Sequence, residues 1–67
     1  MKRAMDYAQQ AYKLAPLSAA VNDTLGWLYV QTGQLGKGLS LLREAIARDV
    51  NNGEIYYHLA YTLAELN

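Results

Sequence analysis

The one histidine of the chain, His58, stands a helical turn after Glu54, which would offer an imidazole and a carboxylate at a spacing that helical metal sites use. Such a site needs at least a third ligand and ordered groups behind it. The sequence supplies neither, so no metal and no cofactor is expected and His58 reads as a surface imidazole. Ser18 and Ser40 have no basic partner at a predictable spacing, so no nucleophile is indicated. No strand is predicted that a glycine-rich phosphate loop could follow. These features point away from an enzyme. Recognition chemistry is better represented. Asp23 and Trp27 lie one turn apart, and Glu54, Tyr57 and Tyr61 follow at helical spacing further on. Aromatic faces and carboxylates in this pattern suit apolar anchors and Lys or Arg on a partner, with cation–π contacts worth about 0.5 to 2 kcal/mol.

The elements that must carry these residues are four helices, over about 2–14, 19–32, 35–48 and 53–66. Ala4, Ala8, Ala11 and Ala15 recur at helical spacing in the first, which Pro16 ends by disfavouring helical geometry in the residue before it. Ser18 is the expected N-cap of the second helix, with a buried stripe of Val21, Leu25, Leu28 and Tyr29, and Gly33 closes it in the left-handed conformation. The third is expected to bury Leu39, Leu42, Ala45 and Ile46. Asn51 with Glu54 three residues on reads as a capping box for the fourth. The connections are short, so neighbouring helices run antiparallel. Gly26 and Gly38 fall on facing helices, where two missing side chains allow close backbone approach. The competing reading for Gly38 is a merely loosened helix start.

The chain also resembles itself. Leu25, Gly26 and Tyr29 recur as Leu59, Ala60 and Leu63, and Ala4, Ala8, Ala11 and Pro16 recur as Gly38, Leu42, Ala45 and Val50. A period of about 34 residues marks an all-α, antiparallel helix-turn-helix solenoid. The stretch Asn22 to Tyr29, followed by Gly38, Leu42 and Ala45, resembles the tetratricopeptide repeat, over essentially the whole chain. Three positions depart from that pattern: Asn22 where a large aromatic is common, Gly38 where Ala is common, and Val50 where Pro is common.

The resemblance implies a protein-interaction scaffold whose concave groove is lined by the first helix of each unit. It implies Asp23, Trp27, Glu54, Tyr57 and Tyr61 as groove residues that bind a protein or peptide segment. Ala20, Val30 or Gln31, and Glu65 lie beside them. Asp23, Glu54 and Glu65 are expected to be solvated. For Trp27 two readings stand, a groove anchor or a core residue packed on the fourth or first helix. Family members that clamp a C-terminal carboxylate use Lys, Arg and Asn in this groove, and none of those types lines it here.

By the same resemblance the chain holds one complete unit flanked by two half-units, the composition expected of a piece of a longer bacterial array. Its first helix is then expected to leave Ala4, Ala8 and Ala11 uncovered, and its fourth to leave Tyr56, Leu59, Ala60 and Leu63 uncovered. A second copy of the chain could complete a unit through these open ends, which makes self-assembly the alternative function.

Composition agrees. With 67 residues the chain is one domain that buries only about 60% of its unfolded surface. Six Lys and Arg balance six Asp and Glu, which removes the basic footprint of a nucleic-acid binder. Cysteine is absent, which excludes disulfides and thiolate metal sites, and no apolar run is long enough for membrane insertion.

Overall fold

Local chemistry sets each helix boundary. The computed structural model describes residues 2–67, with Lys2 by its backbone alone. It contains four helices, α1 (Lys2–Leu14), α2 (Ala19–Gln31), α3 (Leu35–Arg48) and α4 (Gly53–Leu66), and no strand among the described residues. After α1 the Ser18 N–H turns back to the Ala15 carbonyl at 3.2 Å, and the Ser18 hydroxyl then accepts from the Val21 N–H at 3.3 Å. One period on, Asn52 does the same. Its N–H bonds the Asp49 carbonyl at 3.2 Å, and its Oδ1 accepts from the Ile55 N–H at 3.1 Å. The expected capping box at Asn51 is thereby corrected. The turn closes one residue later, and Asn52 is the residue that the repeat sets opposite Ser18.

The end of α2 is a Schellman turn. Thr32 is its cap rather than its last helical residue, Gly33 adopts φ +88°, and the Gln34 N–H reaches the Tyr29 carbonyl at 2.8 Å. A Cβ at Gly33 would meet nothing within 4 Å, so only the backbone resists a side chain there. Gly33→Ala is therefore expected to cost about 1 kcal/mol in urea denaturation, with Gly33→Asn costing less. An unchanged midpoint for the alanine variant would refute this account of the turn.

Packing centres on α2, which lies against α1, most extensively against α3, and at a few points against α4. With neighbours on three sides its buried arc is wider than an apolar stripe. The enclosed residues are Asn22, Asp23, Leu25, Gly26 and Val30, while Val21, Leu28 and Tyr29 are half-buried. Asn22 uses the position to satisfy a loop, donating from Nδ2 to the Pro16 carbonyl at 3.0 Å. On α3 the buried set is Gly38, Leu41, Leu42 and Ala45. Leu39 and Ile46, expected inside, are half-buried because the helix is turned so that Gly38 and Leu41 meet α2.

The close approach of α2 and α3 rests on the paired glycines. A Cβ on Gly26 would lie 3.1 Å from the Gly38 carbonyl oxygen, from Leu41 Cβ and from Leu42 Cγ. One on Gly38 would lie 2.7 Å from the Gly26 carbonyl oxygen and would overlap Val30 Cγ2. Gly38 is a packing residue and not a loosened helix start.

At the other side of α2, Ala8 of α1 joins Leu25 and Leu41 in a core cluster, with Met5, Tyr12, Leu28 and Tyr29 packed around it. Ala8 is only 7% exposed, which corrects the expectation that it stands uncovered: α1 docks on α2 through this residue. Ala4 is exposed and Ala11 half-buried. On α4, Ile55 and Thr62 are enclosed. Tyr56, Ala60 and Leu63 are exposed as expected, and Leu59 is half-buried.

Candidate functional site

Trp27 projects from α2 toward α4 and organises a groove with two lobes. Its indole stacks on the His58 imidazole, with ring centroids 4.1 Å apart and planes at 16°. Tyr61 meets it nearly at right angles, at 5.3 Å and 79°, and Tyr57 lies 6.3 Å away. These contacts follow from sequence spacing. Positions 57, 58 and 61 share one side of α4, and that side faces the turn of α2 holding Asp23 and Trp27.

His58 and Asp23 form the hidden part of the site. The Asp23 carboxylate offers only acceptors, so at 2.7 Å the His58 Nδ1–H must donate to Oδ1. Asp23 is 8% exposed and His58 9%. Both expectations are corrected: Asp23 is not part of a solvated face, and His58 is not a surface imidazole. Helix crossing brings these two groups, 35 residues apart in sequence, into a buried contact where each gives the other a hydrogen-bond partner that offsets part of the cost of leaving water. Glu54, the carboxylate one turn before His58, stays exposed. Thr62 completes the arrangement by donating to the His58 carbonyl at 2.7 Å.

The first lobe, about 660 Å³, lies between α1, α2 and α4. Its walls include Ala4, Tyr7 and Ala8 on one side and Asp23, Trp27, Glu54 and His58 on the other. The second, about 380 Å³, is bounded by Trp27, Val30, Gln31, Tyr57, Tyr61 and Glu65. All five expected groove residues thus border one or the other lobe, with Trp27 common to both. Among the described residues neither lobe is lined by a Lys or Arg, whereas Lys13 and Lys37 line a separate concavity with Tyr12 and Tyr29. Tyr57 and Tyr61 remain 62% and 45% exposed, so their rings are available to a ligand. Trp27 is half-buried, its indole stacked on His58 and bordering both lobes.

Two participants escaped the sequence reading. His58 looked isolated because its partner is on another helix, and Tyr7, 66% exposed in the first-lobe wall, was not singled out. The repeat carried a signal for Tyr7, since it sits one period before Leu41, a residue that packs on α2.

No family model, curated protein or solved structure matches the chain. The structure by itself defines the class: four packed helices in an all-α helical-hairpin arrangement. Among the described residues, no helix is long and apolar enough to cross a membrane.

Proposed function

We propose that the chain is a protein-interaction unit of the tetratricopeptide type, holding a partner's peptide segment in the groove centred on Trp27. The observation that carries this reading is the convergence of Trp27, Tyr57 and Tyr61 beside Glu54 and Glu65 on a face whose lobes contain no cationic side chain among the described residues. A segment presenting an apolar anchor and a Lys or Arg would pair its charge with the carboxylates and its stem with the exposed rings. The Asp23–His58 pair acts behind the surface, fixing the plane of the imidazole on which Trp27 rests.

The test uses two fluorescently labelled peptides, one alternating Leu and Arg and one with Glu in place of Arg, followed by anisotropy. The Arg peptide is expected to bind more tightly. The double variant Tyr57→Ala, Tyr61→Ala is expected to weaken it by about tenfold or more, equivalent to roughly 1.4 kcal/mol, with helicity unchanged. Equal affinity for both peptides, or indifference to the double substitution, would overturn the reading.

A further inference from the structure

The hydrogen bond between Asp23 and His58 uses one polar atom of each side chain and leaves the other over. With Nδ1–H donating to Oδ1, the neutral imidazole carries a bare lone pair on Nε2, and the carboxylate keeps Oδ2 as a further acceptor. Neither atom has a partner among the described residues, yet neither is sealed off. Among those residues the one enclosed side-chain nitrogen or oxygen left without a partner is Asn22 Oδ1, so Nε2 and Oδ2 each reach solvent. His58 and Asp23 are otherwise enclosed, at 9% and 8% exposed, and the concavity that both of them line is the first lobe.

Acceptors aimed into a concavity select a donor. The neutral ring does not cancel the charge of Asp23, and Glu54, exposed in the wall of the same lobe, has no ion-pair partner among the described residues. The lobe therefore offers an occupant two carboxylates and a ring nitrogen. The rest of its lining includes the aromatic and apolar side chains of Tyr7, Trp27 and Ala8. A guanidinium suits both parts, because it is planar and weakly hydrated, stacks on aromatic faces and carries five N–H donors around its edge. An ammonium is compact and strongly hydrated, and loses more on leaving water.

We infer that the first lobe is an arginine pocket: it takes the guanidinium of a partner's arginine side chain, with His58 Nε2 and Asp23 Oδ2 accepting its N–H groups and Glu54 adding charge. This rests on the groove reading for its partner, and adds which side chain of that partner enters which lobe and which atoms choose it. His58 is thereby a specificity-determining residue, and Asp23 both contacts the ligand and holds the ring in the tautomer that accepts.

His58 is the only histidine, so the imidazole nitrogen resonances report on this lobe alone. The experiment titrates the 67-residue chain with acetyl-arginine amide, acetyl-lysine amide and the uncharged acetyl-citrulline amide, at a pH where the spectrum shows the ring neutral. The peptide alternating Leu and Arg is titrated in parallel. Acetyl-arginine amide is expected to move the Nε2 resonance saturably while Nδ1 stays nearly in place, and to bind about tenfold more tightly than either of the others. Glu54→Gln, at an exposed side chain, is expected to weaken it about threefold. Asp23→Asn keeps an acceptor for Nδ1–H but removes the charge, and is expected to weaken it about tenfold. If the Asn variant loses helicity, the Glu54 variant and the three amides decide the matter. A stationary Nε2 resonance, or lysine or citrulline binding as tightly as arginine, would overturn the inference. A peptide that binds and responds to the loss of Tyr57 and Tyr61 while Nε2 stays still would keep the groove reading and overturn the arginine pocket. An arginine amide that moves Nε2 while the peptide fails to bind would support the pocket and overturn the groove reading.

Discussion

Gly38→Ala is expected to destabilise the protein by about 2 kcal/mol, although alanine is the better helix former. Replacing glycine in a helix brings roughly 1 kcal/mol in the favourable direction. Against this, the added methyl would lie 2.7 Å from the Gly26 carbonyl oxygen and inside the contact distance of Val30 Cγ2. The oxygen is part of the α2 backbone, so rotation of a side chain cannot relieve both contacts and the two helices must part. Overpacking of this kind costs about 1–3 kcal/mol, and a clash with backbone on one side and Val30 on the other puts Gly38 at the upper end, about 3 kcal/mol, leaving the net loss of about 2 kcal/mol. Gly36→Ala is the matched comparison, because a Cβ there meets nothing within 4 Å. That variant is expected to gain about 0.5 kcal/mol. In a domain this small, the loss at Gly38 corresponds to a fall in Tm on the order of 10 °C. Urea denaturation followed by far-UV circular dichroism separates the two variants. A Gly38→Ala protein as stable as the wild type would show that the glycines do not set the spacing of α2 and α3.

Asp23→Ala is expected to cost about 2 kcal/mol, and the loss belongs to a pair rather than to a residue. Removal of the carboxylate leaves the Nδ1–H of a 9% exposed His58 without its acceptor. His58→Phe tests the other side. It retains a ring to stack on Trp27 but strands the Asp23 carboxylate, 8% exposed, with no donor. The double variant Asp23→Ala, His58→Phe removes both polar partners and keeps the stack. It is expected to be clearly more stable than the sum of the single losses implies. A double-mutant cycle in urea should give a coupling of about 1.5 kcal/mol. Additivity within about 0.4 kcal/mol would mean that the 2.7 Å contact contributes nothing specific to the fold.

The difference in legibility between these two sites has a physical basis. The glycines were readable because a helix interior penalises glycine, and both sit on the segments with the clearest period. Helix ends were readable for a similar reason: Pro16, Ser18 and Gly33 act through their own backbone or the next turn. The groove aromatics followed from spacing along α2 and α4. Burial of Asp23 and His58 was not readable, since it depends on where two helices separated by a third come into contact. Apolar periodicity carries no information about a polar pair inside the buried arc. Ala8 failed for a related reason. The same face that borders the first lobe also touches Leu25 and Leu41, so counting missing neighbours overstated its exposure. The cap of α4 was legible in the repeat, because shifting Ser18 by the period lands on Asn52 and not on Asn51.

The unequal sharing of interfaces among the helices implies a graded response to thermal motion. α2 and α3 share the most extensive contact, while α1 rests on α2 and α4 chiefly on α3. The central hairpin is thus the most cooperative part of the chain, and the outer helices can open at lower free energy without unravelling it. Trp27 belongs to the hairpin, whereas Tyr57, His58 and Tyr61 ride on α4. The two walls of the groove therefore belong to parts of different local stability, and any ligand gripping both sides fastens the outer helix to the hairpin.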